Sequence, residues 1–287
     1  MEWLENEQIK IAVKAKGAEL CSLYDKATDT EFIWQADPAF WGKHSPVLFP
    51  IVGALKNNSY QYNGKQYELS RHGFAREEQF EASKENDTLT FTLTESAASL
   101  EKYPFRFKLE LIYRLKEKKL KVTYRVSNPA QEPLLFSIGA HPAFRLPLDN
   151  ESEYSDYYLE FSKEETAGRW PISPDGLIEA NSIPFLDDRK LPLDKKLFYK
   201  DALVFKQLNS NKLLLRSQKN GKGFRFNFEG FPYLGLWAAK DANFVCIEPW
   251  CGIADSVNSD QQLQNKEGIV SLGPSEIFER EWSVELF

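Results

Sequence analysis

Apolar and polar residues alternate with a period of two in several short stretches, and this alternation constrains the fold more than any other feature. It is clearest in residues 88–94 (TLTFTLT), 105–115 and 120–126. Successive side chains of a strand point to opposite faces of a sheet, so each stretch predicts a half-buried strand. A short apolar run at residues 213–217 is typical of a more buried strand.

Turn signals separate these stretches. Asn63-Gly64, between the tyrosine-bearing residues 60–62 and residues 66–69, predicts a β-hairpin, and the charged residues 116–119 predict another hairpin tip. Helical periodicity is scarce, with one or two turns predicted at residues 97–103. Strands at roughly ten-residue spacing indicate an all-β fold, either a sandwich or a barrel.

The length of 287 residues exceeds the usual domain size, but all-β folds often reach ~200–250 residues as one domain. No Pro/Gly/Ser-rich linker divides the chain, so residues 1–287 are expected to form a single domain. The polar, Pro- and Asp-rich residues 147–200 predict long loops with short strands. A hydrophobic fraction of 42% and an aromatic fraction of 14% supply a core and leave aromatic residues for a binding face.

The net charge of -6 argues against nucleic acid or an anionic membrane as a partner. Cys21, Cys246 and Cys251 are an odd number without metal-site spacing, which predicts free buried thiols, a reducing compartment and no metal. The acidic N-terminus has no apolar signal region, and no run of ~18 apolar residues occurs. We therefore expect a cytoplasmic protein, a monomer or weak homodimer.

Three polar side chains lie in unusually apolar, turn-rich segments. His72 belongs to residues 70–76 (SRHGFAR), His141 to residues 139–144 (GAHPAF), and Glu248 to residues 246–252 (CIEPWCG). Two imidazoles and a carboxylate suit proton transfer on a neutral polar substrate near pH 7.

A lone histidine is more often structural than functional, but His72 has informative neighbours. Gly73 frees the backbone, and the guanidinium groups of Arg71 and Arg76 can clamp a polyol or an anion. Their positive charge also lowers the proton affinity of the imidazole. The segment therefore favours a neutral, hydrogen-bonding role for His72.

His141 ends the apolar stretch 134–138, which predicts a strand, and Pro142 then turns the chain. An imidazole at a strand end can point into a cleft, although a structural role is about as common.

Glu248 follows the predicted buried strand 244–247 and precedes Trp250. Burial raises the pKa of a carboxyl group and makes it a better base. The alternative is a buried glutamate that pairs with an arginine for structural reasons, since an unpaired buried carboxylate is costly.

Weaker candidates complete the set. Asp201 enters a predicted strand, where a turn residue is as common as a functional one. Trp41, Trp237 and Trp250 can offer a stacking face for a sugar ring, although buried tryptophan is the more frequent case. His44 is expected in a loop. The chain lacks a Gly-rich phosphate loop, a His-Glu-x-x-His helix and a Gly-x-Ser-x-Gly elbow.

Several segments, in order and spacing, together resemble the aldose 1-epimerase (mutarotase) family, and within it the LacX-like branch. They are residues 17–23, 31–34, 45–53, 71–76, 139–144 and 236–252. The resemblance implies a large antiparallel β-sandwich of the galactose mutarotase type with the site on its concave face. It also implies interconversion of α and β anomers of a hexose without a cofactor.

By the same resemblance, Glu248 would remove the proton from the anomeric hydroxyl, and His141 would protonate the ring oxygen. His72 would hydrogen-bond the ring oxygen or a neighbouring hydroxyl, while Asp201 would bind sugar hydroxyls. Trp237 is expected to contact the substrate.

The chain departs from the galactose mutarotase pattern at residues 50–56 (PIVGALK), where the family has an arginine. Lys43, Arg71 or Arg76 is expected to replace it. A related branch that acts on hexose 6-phosphates shares the His-Gly-Phe-Ala-Arg motif, in which an arginine contributes to phosphate binding. A hexose-6-phosphate 1-epimerase and a non-catalytic carbohydrate-binding protein therefore remain as alternatives.

Overall fold

The computed structural model describes residues 1–287, and strands account for nearly all of the regular structure. The strands are β1 (Glu2–Glu5), β2 (Ile9–Lys14), β3 (Glu19–Asp25), β4 (Thr30–Glu31), β5 (Val47–Leu48), β6 (Ser59–Tyr62), β7 (Lys65–Glu68), β8 (Glu81–Glu85), β9 (Thr88–Thr94), β10 (Lys108–Lys116), β11 (Lys119–Ser127), β12 (Leu134–Phe136), β13 (Ile138–Ala140), β14 (Ala143–Arg145), β15 (Tyr157–Phe161), β16 (Lys190–Pro192), β17 (Leu203–Lys206), β18 (Lys212–Ser217), β19 (Gly223–Asn227), β20 (Tyr233–Trp237), β21 (Phe244–Cys251), β22 (Val270–Leu272) and β23 (Ile277–Leu286). The predicted all-β class is confirmed.

Helical structure is limited to one α-helix and five short 3-10 turns. The α-helix, α1 (Ala97–Lys102), lies where the sequence predicts it, and the Ser96 and Ser99 side chains cap its first turn reciprocally. The 3-10 turns are Lys56–Asn58, Ala75–Glu77, Tyr154–Asp156, Lys195–Phe198 and Leu263–Asn265.

The two large sheets are antiparallel and share one core. The nine-stranded sheet has the order β16-β15-β18-β19-β23-β11-β10-β9-β8, and the six-stranded sheet has the order β17-β20-β21-β13-β5, with β14 also pairing with β21. Phe144 of the six-stranded sheet packs on Phe224 and Phe226 of the other, at ring-centroid distances of 4.4 and 5.9 Å. The predicted large antiparallel β-sandwich is therefore confirmed.

Three smaller sheets complete the topology. They are the four-stranded sheet β1-β2-β3-β4 and the pairs β12-β22 and β6-β7. The β6-β7 hairpin turns at Asn63 and Gly64, whose φ angles of 48° and 73° fit the turn type that asparagine and glycine favour. Its prediction is confirmed.

Strand β21 occupies the middle of the six-stranded sheet, and all eight of its residues are buried. The prediction that this strand ends at residue 247 is wrong, because β21 continues to Cys251. Strand β20 pairs along residues 246–250 on one edge, whereas on the other edge β14 pairs only up to Cys246 and β13 only from Trp250. Pro249 therefore lies where the strand has a ladder partner on one edge only, so proline is tolerated.

The single strand predicted at residues 134–138 is also divided. Residues 134–136 form β12 and pair with β22, whereas β13 begins at Ile138 and joins the six-stranded sheet. The backbone N–H of Ser137 donates instead to the carbonyl of Pro50, at 2.7 Å. An uninterrupted apolar run does not show where a strand passes from one sheet to another.

The three cysteines are buried and unpaired, as predicted. The structure contains no helix with both the length and the apolar character needed to cross a membrane.

Candidate active site

A cavity of about 710 Å³ opens over the six-stranded sheet, a volume in the range of small-molecule sites. Seven of the eight predicted site residues line it: Arg71, His72, Arg76, His141, Asp201, Trp237 and Glu248. The other lining residues are Trp41, Gly53, Ile172, Ser173, Pro174, Gly176, Ile178, Phe198, Tyr199, Lys200, Ala202, Val204, Ala238, Ala239, Lys240, Trp250 and Ala254.

The innermost polar contact of this cavity joins an imidazole to a carboxyl group. His141 follows β13 and Glu248 lies on β21, and Nε2 of His141 is 3.3 Å from Oε2 of Glu248. Both side chains are almost fully buried. Nδ1 of His141 has no hydrogen-bond partner in the protein, so the imidazole meets Glu248 through Nε2.

Burial sets the protonation of this pair. It lowers the pKa of His141 to about 3 and raises the pKa of Glu248 well above the ordinary carboxyl value. Both shifts favour a neutral imidazole beside a protonated carboxyl group. That state holds two protons, as does imidazolium beside carboxylate. A proton can therefore move across the 3.3 Å contact without exchange with solvent.

His72 is held as a neutral hydrogen-bond donor. Its Nδ1 accepts from the backbone N–H of Gly53 at 3.1 Å, and the backbone N–H of His72 donates to the Gly53 carbonyl at 2.8 Å. Burial, followed by the charges near it, lowers the pKa of His72 well below the ordinary histidine value. A neutral imidazole that accepts at Nδ1 carries its proton on Nε2, in agreement with the predicted neutral role.

Backbone strain accompanies two of the lining side chains. His72 has a φ of 70° and Asp201 a φ of 95°, a region that non-glycine residues seldom occupy and that costs of order 1–3 kcal/mol per residue. Residues held in this way cluster at functional sites, where the surrounding structure fixes them.

At the cavity rim, Arg71 faces Asp201. Its Nη2 is 3.8 Å from Oδ2 of Asp201, with both side chains partly exposed. Gly176 passes close to the same guanidinium: a Cβ there would lie 2.8 Å from Nη2 of Arg71, and the residue has a φ of +80°. Glycine at this turn therefore leaves room for Arg71.

Several cationic side chains contribute to the lining. Nη2 of Arg76 donates to the Arg71 carbonyl at 2.9 Å, whereas its buried Nε has no partner in the protein. Lys200 and Lys240 add two ammonium groups to the lining.

Aromatic rings enclose His141. The ring of Trp41 stacks on the imidazole at 4.9 Å, and Trp237 contacts it edge-on at 5.7 Å. The ring of His72 meets it edge-on from another direction, at 5.7 Å. These contacts restrict the orientation of the imidazole.

Lys43, which the sequence offers as a substrate-binding residue, is not among the residues that line the cavity. Its ammonium group pairs with Glu77 at 2.6 Å, and Glu77 also pairs with Lys16 at 3.0 Å. A nearby carboxylate between two lysines neutralises the charge that the sequence alone presents as available.

Part of the cavity lining is not predicted from the sequence. Residues 172–178 cross the cavity, and Tyr199, Lys200 and Lys240 contribute to its wall. The dipeptide Asp175-Gly176 after Pro174 marks a turn, but a turn signal carries no information about which surface it faces.

The chain is thus an antiparallel β-sandwich of the galactose mutarotase-like kind, and its cavity holds an imidazole–carboxyl pair. The family model described as "Aldose 1-epimerase" matches residues 3–271. The chain belongs to the aldose 1-epimerase family, and to its LacX-like branch.

Relatives cover nearly the whole chain. The plasmid-encoded protein LacX of Lactococcus lactis subsp. lactis is 35% identical over 99% of this chain and 98% of its own length. A galactose mutarotase related enzyme from Lactobacillus acidophilus has a TM-score of 0.95 at 37% identity, with 100% and 97% of the two chains covered. A galactose mutarotase-like protein from Lactobacillus casei has a TM-score of 0.92 at 31% identity, with both chains fully covered.

Proposed function

We propose that the protein is an aldose 1-epimerase that interconverts the α and β anomers of a hexose. The observation that supports it most is the 3.3 Å contact between His141 Nε2 and Glu248 Oε2 inside a sugar-sized cavity. An acid and a base of the required kinds are thus side by side, and neutral His72 faces the same space.

Ring opening needs two proton transfers. Glu248, as carboxylate, takes the proton from the anomeric hydroxyl, while His141, as imidazolium, gives its proton to the ring oxygen, and the bond from C1 to the ring oxygen breaks. The products are the open-chain aldehyde, a neutral imidazole and a protonated carboxyl group. Rotation about the C1–C2 bond and closure on the other face return both protons.

The energetic demand is moderate. Free aldoses already mutarotate slowly in water, and each positioned proton-transfer group contributes typically ~10²–10⁴-fold. Burial favours the neutral pair, so the ionic pair that opens the ring must first form by transfer of the Glu248 proton to His141, and ring opening restores the neutral pair. His72, as a donor at Nε2, binds the ring oxygen or a neighbouring hydroxyl, and Asp201 with Arg71 binds hydroxyls at the rim.

Polarimetry tests the proposal directly. The protein should accelerate the approach to equilibrium of freshly dissolved α-glucose or α-galactose, and Glu248→Gln should remove most of that effect. Glu165→Gln is the matched control, because Glu165 is equally buried but accepts from the backbone of Asn209 and Ser210, outside the cavity. No acceleration with any free or 6-phosphorylated aldose would exclude the enzyme. Sugar binding without acceleration would identify a carbohydrate-binding protein.

A hexose 6-phosphate is a second candidate substrate, and the cationic part of the lining favours it. Arg76 offers a buried Nε donor without a partner, and Lys200 and Lys240 line the same cavity. Charge-assisted bonds from guanidinium to phosphate are among the strong ones. A higher kcat/KM for glucose 6-phosphate than for glucose, lost in Arg76→Ala and kept in Lys43→Ala, would support it. Equal values for the two sugars would exclude it.

A further inference from the structure

We propose that the inner end of the cavity binds a divalent zinc-like cation through His141, Cys246 and Glu248, and that the bound ion blocks mutarotation. The inhibition rests on the proposed function, whereas the binding does not. The cation is an inhibitor here, since it occupies the two groups that the reaction needs.

Strand geometry brings the three side chains together. Cys246 and Glu248 are two residues apart on β21, so their side chains lie on the same face of the sheet. His141 approaches from the β13–β14 connection, where Ala143 pairs with Cys246. A ring nitrogen of His141, Sγ of Cys246 and a carboxylate oxygen of Glu248 all lie within 4.8 Å of one another.

These separations fit a small ion. Three atoms within 4.8 Å of one another share a point at most about 2.8 Å from each, and zinc bonds of about 2.0–2.3 Å then need only small side-chain movements. The edge of a tetrahedron with bonds of about 2.0 Å is about 3.3 Å. The His141–Glu248 separation of 3.3 Å already has that length.

The chemistry of the ligand set selects the ion. Imidazole nitrogen, thiolate sulfur and carboxylate oxygen are the three zinc ligands in proteins, and thiolate disfavours Mg²⁺ and Ca²⁺. A divalent ion with one thiolate, one carboxylate and a neutral imidazole has no net charge. A neutral centre suits this position, because all three side chains are buried and burial of net charge is costly.

The site has an entry path and a free coordination position, because His141 and Glu248 line the open cavity. Zinc sites that keep one position open have three protein ligands and a water or substrate in the fourth.

A second cluster, Glu19, Cys21 and His44, has similar ligand types, but its members do not line the cavity. Oε1 of Glu19 there already accepts from the backbone of His44 and Ser45, at 2.6 and 3.2 Å.

Binding is measured first, without reference to activity. Protein treated with EDTA and then desalted is titrated with Zn²⁺ against a colorimetric chelator, and with Co²⁺ to record a thiolate-to-cobalt charge-transfer band. We expect one ion per chain and a cobalt–thiolate band. Loss of an outer-shell partner typically weakens a metal site ~10–100-fold, so Cys246→Ser, which removes a direct ligand, should weaken Zn²⁺ binding at least about tenfold.

Matched variants locate the ion. Cys251→Ser, on the same strand, should bind Zn²⁺ as the wild type does, and so should Cys21→Ser in the other cluster. Glu248→Gln tests the site independently if the Cys246 variant does not fold, and it should also weaken binding. Absence of binding in the wild type, unchanged binding in Cys246→Ser or Glu248→Gln, or loss of binding in Cys21→Ser would overturn the proposal.

Activity is measured second. Mutarotation by the wild type should fall in proportion to zinc occupancy and return on addition of EDTA. If the protein binds Zn²⁺ through Cys246 but accelerates no aldose, the result supports the metal site and excludes the epimerase. An active enzyme that stays active at full zinc occupancy would overturn the inhibition.

Discussion

The indole ring of Trp41 stacks on the imidazole of His141, with ring centroids 4.9 Å apart and planes inclined by 25°. Stacked aromatic pairs add about 0.5–1.5 kcal/mol beyond the area they bury, and here the stack fixes the plane in which Nε2 faces Glu248. Trp41 is therefore a positioning residue for the proposed acid.

We predict that Trp41→Leu lowers kcat by about ten- to hundredfold, because small displacements of a catalytic group are costly. KM should change less, and Trp41→Phe should restore most of kcat because it keeps an aromatic face. Trp3→Leu, at an exposed tryptophan, is the control. A rise in KM with unchanged kcat would show that Trp41 contacts the sugar instead.

The pH dependence of the reaction follows from the buried pair. An ordinary histidine and glutamate would hold the two protons only between about pH 4.3 and pH 6.5, and would lose activity above a pKa near 6.5 as the imidazolium loses its proton. Burial instead lowers the pKa of His141 to about 3 and raises that of Glu248. The pair therefore keeps its two protons across mildly acidic and neutral pH, and titrates as a unit.

We expect kcat/KM, corrected for the reaction without protein, to change by less than about twofold between pH 5 and pH 7. Loss of activity should come on the alkaline side, where the pair gives up a proton. A loss of activity between pH 5 and pH 7 along an alkaline limb with an apparent pKa near 6.5 would contradict the neutral pair.

Substitutions at His72 can separate its contribution to stability from its proposed contact with the substrate. Its Nδ1 accepts from the Gly53 N–H, while Nε2–H is the donor proposed for the substrate. Asparagine places an oxygen near the Nδ1 position and tolerates the φ of 70°. His72→Asn should therefore keep the stability of the protein and lose activity.

The matched variant His72→Ala removes both the acceptor for the Gly53 N–H and the proposed Nε2–H donor to the substrate. It should lose activity and also about 1–3 kcal/mol of unfolding free energy, since the Gly53 N–H loses its acceptor. Denaturant unfolding and polarimetry on the two variants check this. Activity that survives in His72→Asn would assign His72 a structural role only.

Much of the fold can be predicted from local patterns. The alternation at residues 88–94 is sufficient for β9, which buries Leu89 and Phe91 on one face. The same period of two explains why Cys246 and Glu248 share a face once β21 is known. Ser137, where the chain changes sheets, has no local signal because the apolar run is continuous there.

The site is less accessible to sequence reasoning, because it depends on contacts between distant segments. Trp41 lies in a loop without periodicity, and its stack on His141 joins residues 100 positions apart in the sequence. The charge of Lys43 is cancelled by Glu77, which only the folded chain brings close. The pairing of Arg71 with Asp201, and the glycine that makes room for it, are equally non-local.

Substitution of Gly176 by alanine tests whether Arg71 needs the space beside this glycine. Alanine at a left-handed φ costs roughly 1–2 kcal/mol, and at Gly176 its Cβ would also lie 2.8 Å from Nη2 of Arg71. Gly64 has a similar φ of +73° with nothing within 4 Å of an added Cβ. The two substitutions therefore share the backbone cost and differ in the contacts of the added Cβ with Arg71 and, at 3.3 Å, with the Cβ of buried Ala54.

We predict that Gly176→Ala loses somewhat more unfolding free energy than Gly64→Ala, because the partly exposed Arg71 side chain can move away but buried Ala54 must shift. Gly176→Ala alone should raise KM several-fold, because displaced Arg71 no longer faces Asp201 or the substrate. Denaturant unfolding with steady-state polarimetry separates the two effects. Equal KM values for both variants and the wild type would show that Arg71 makes no contact with the sugar.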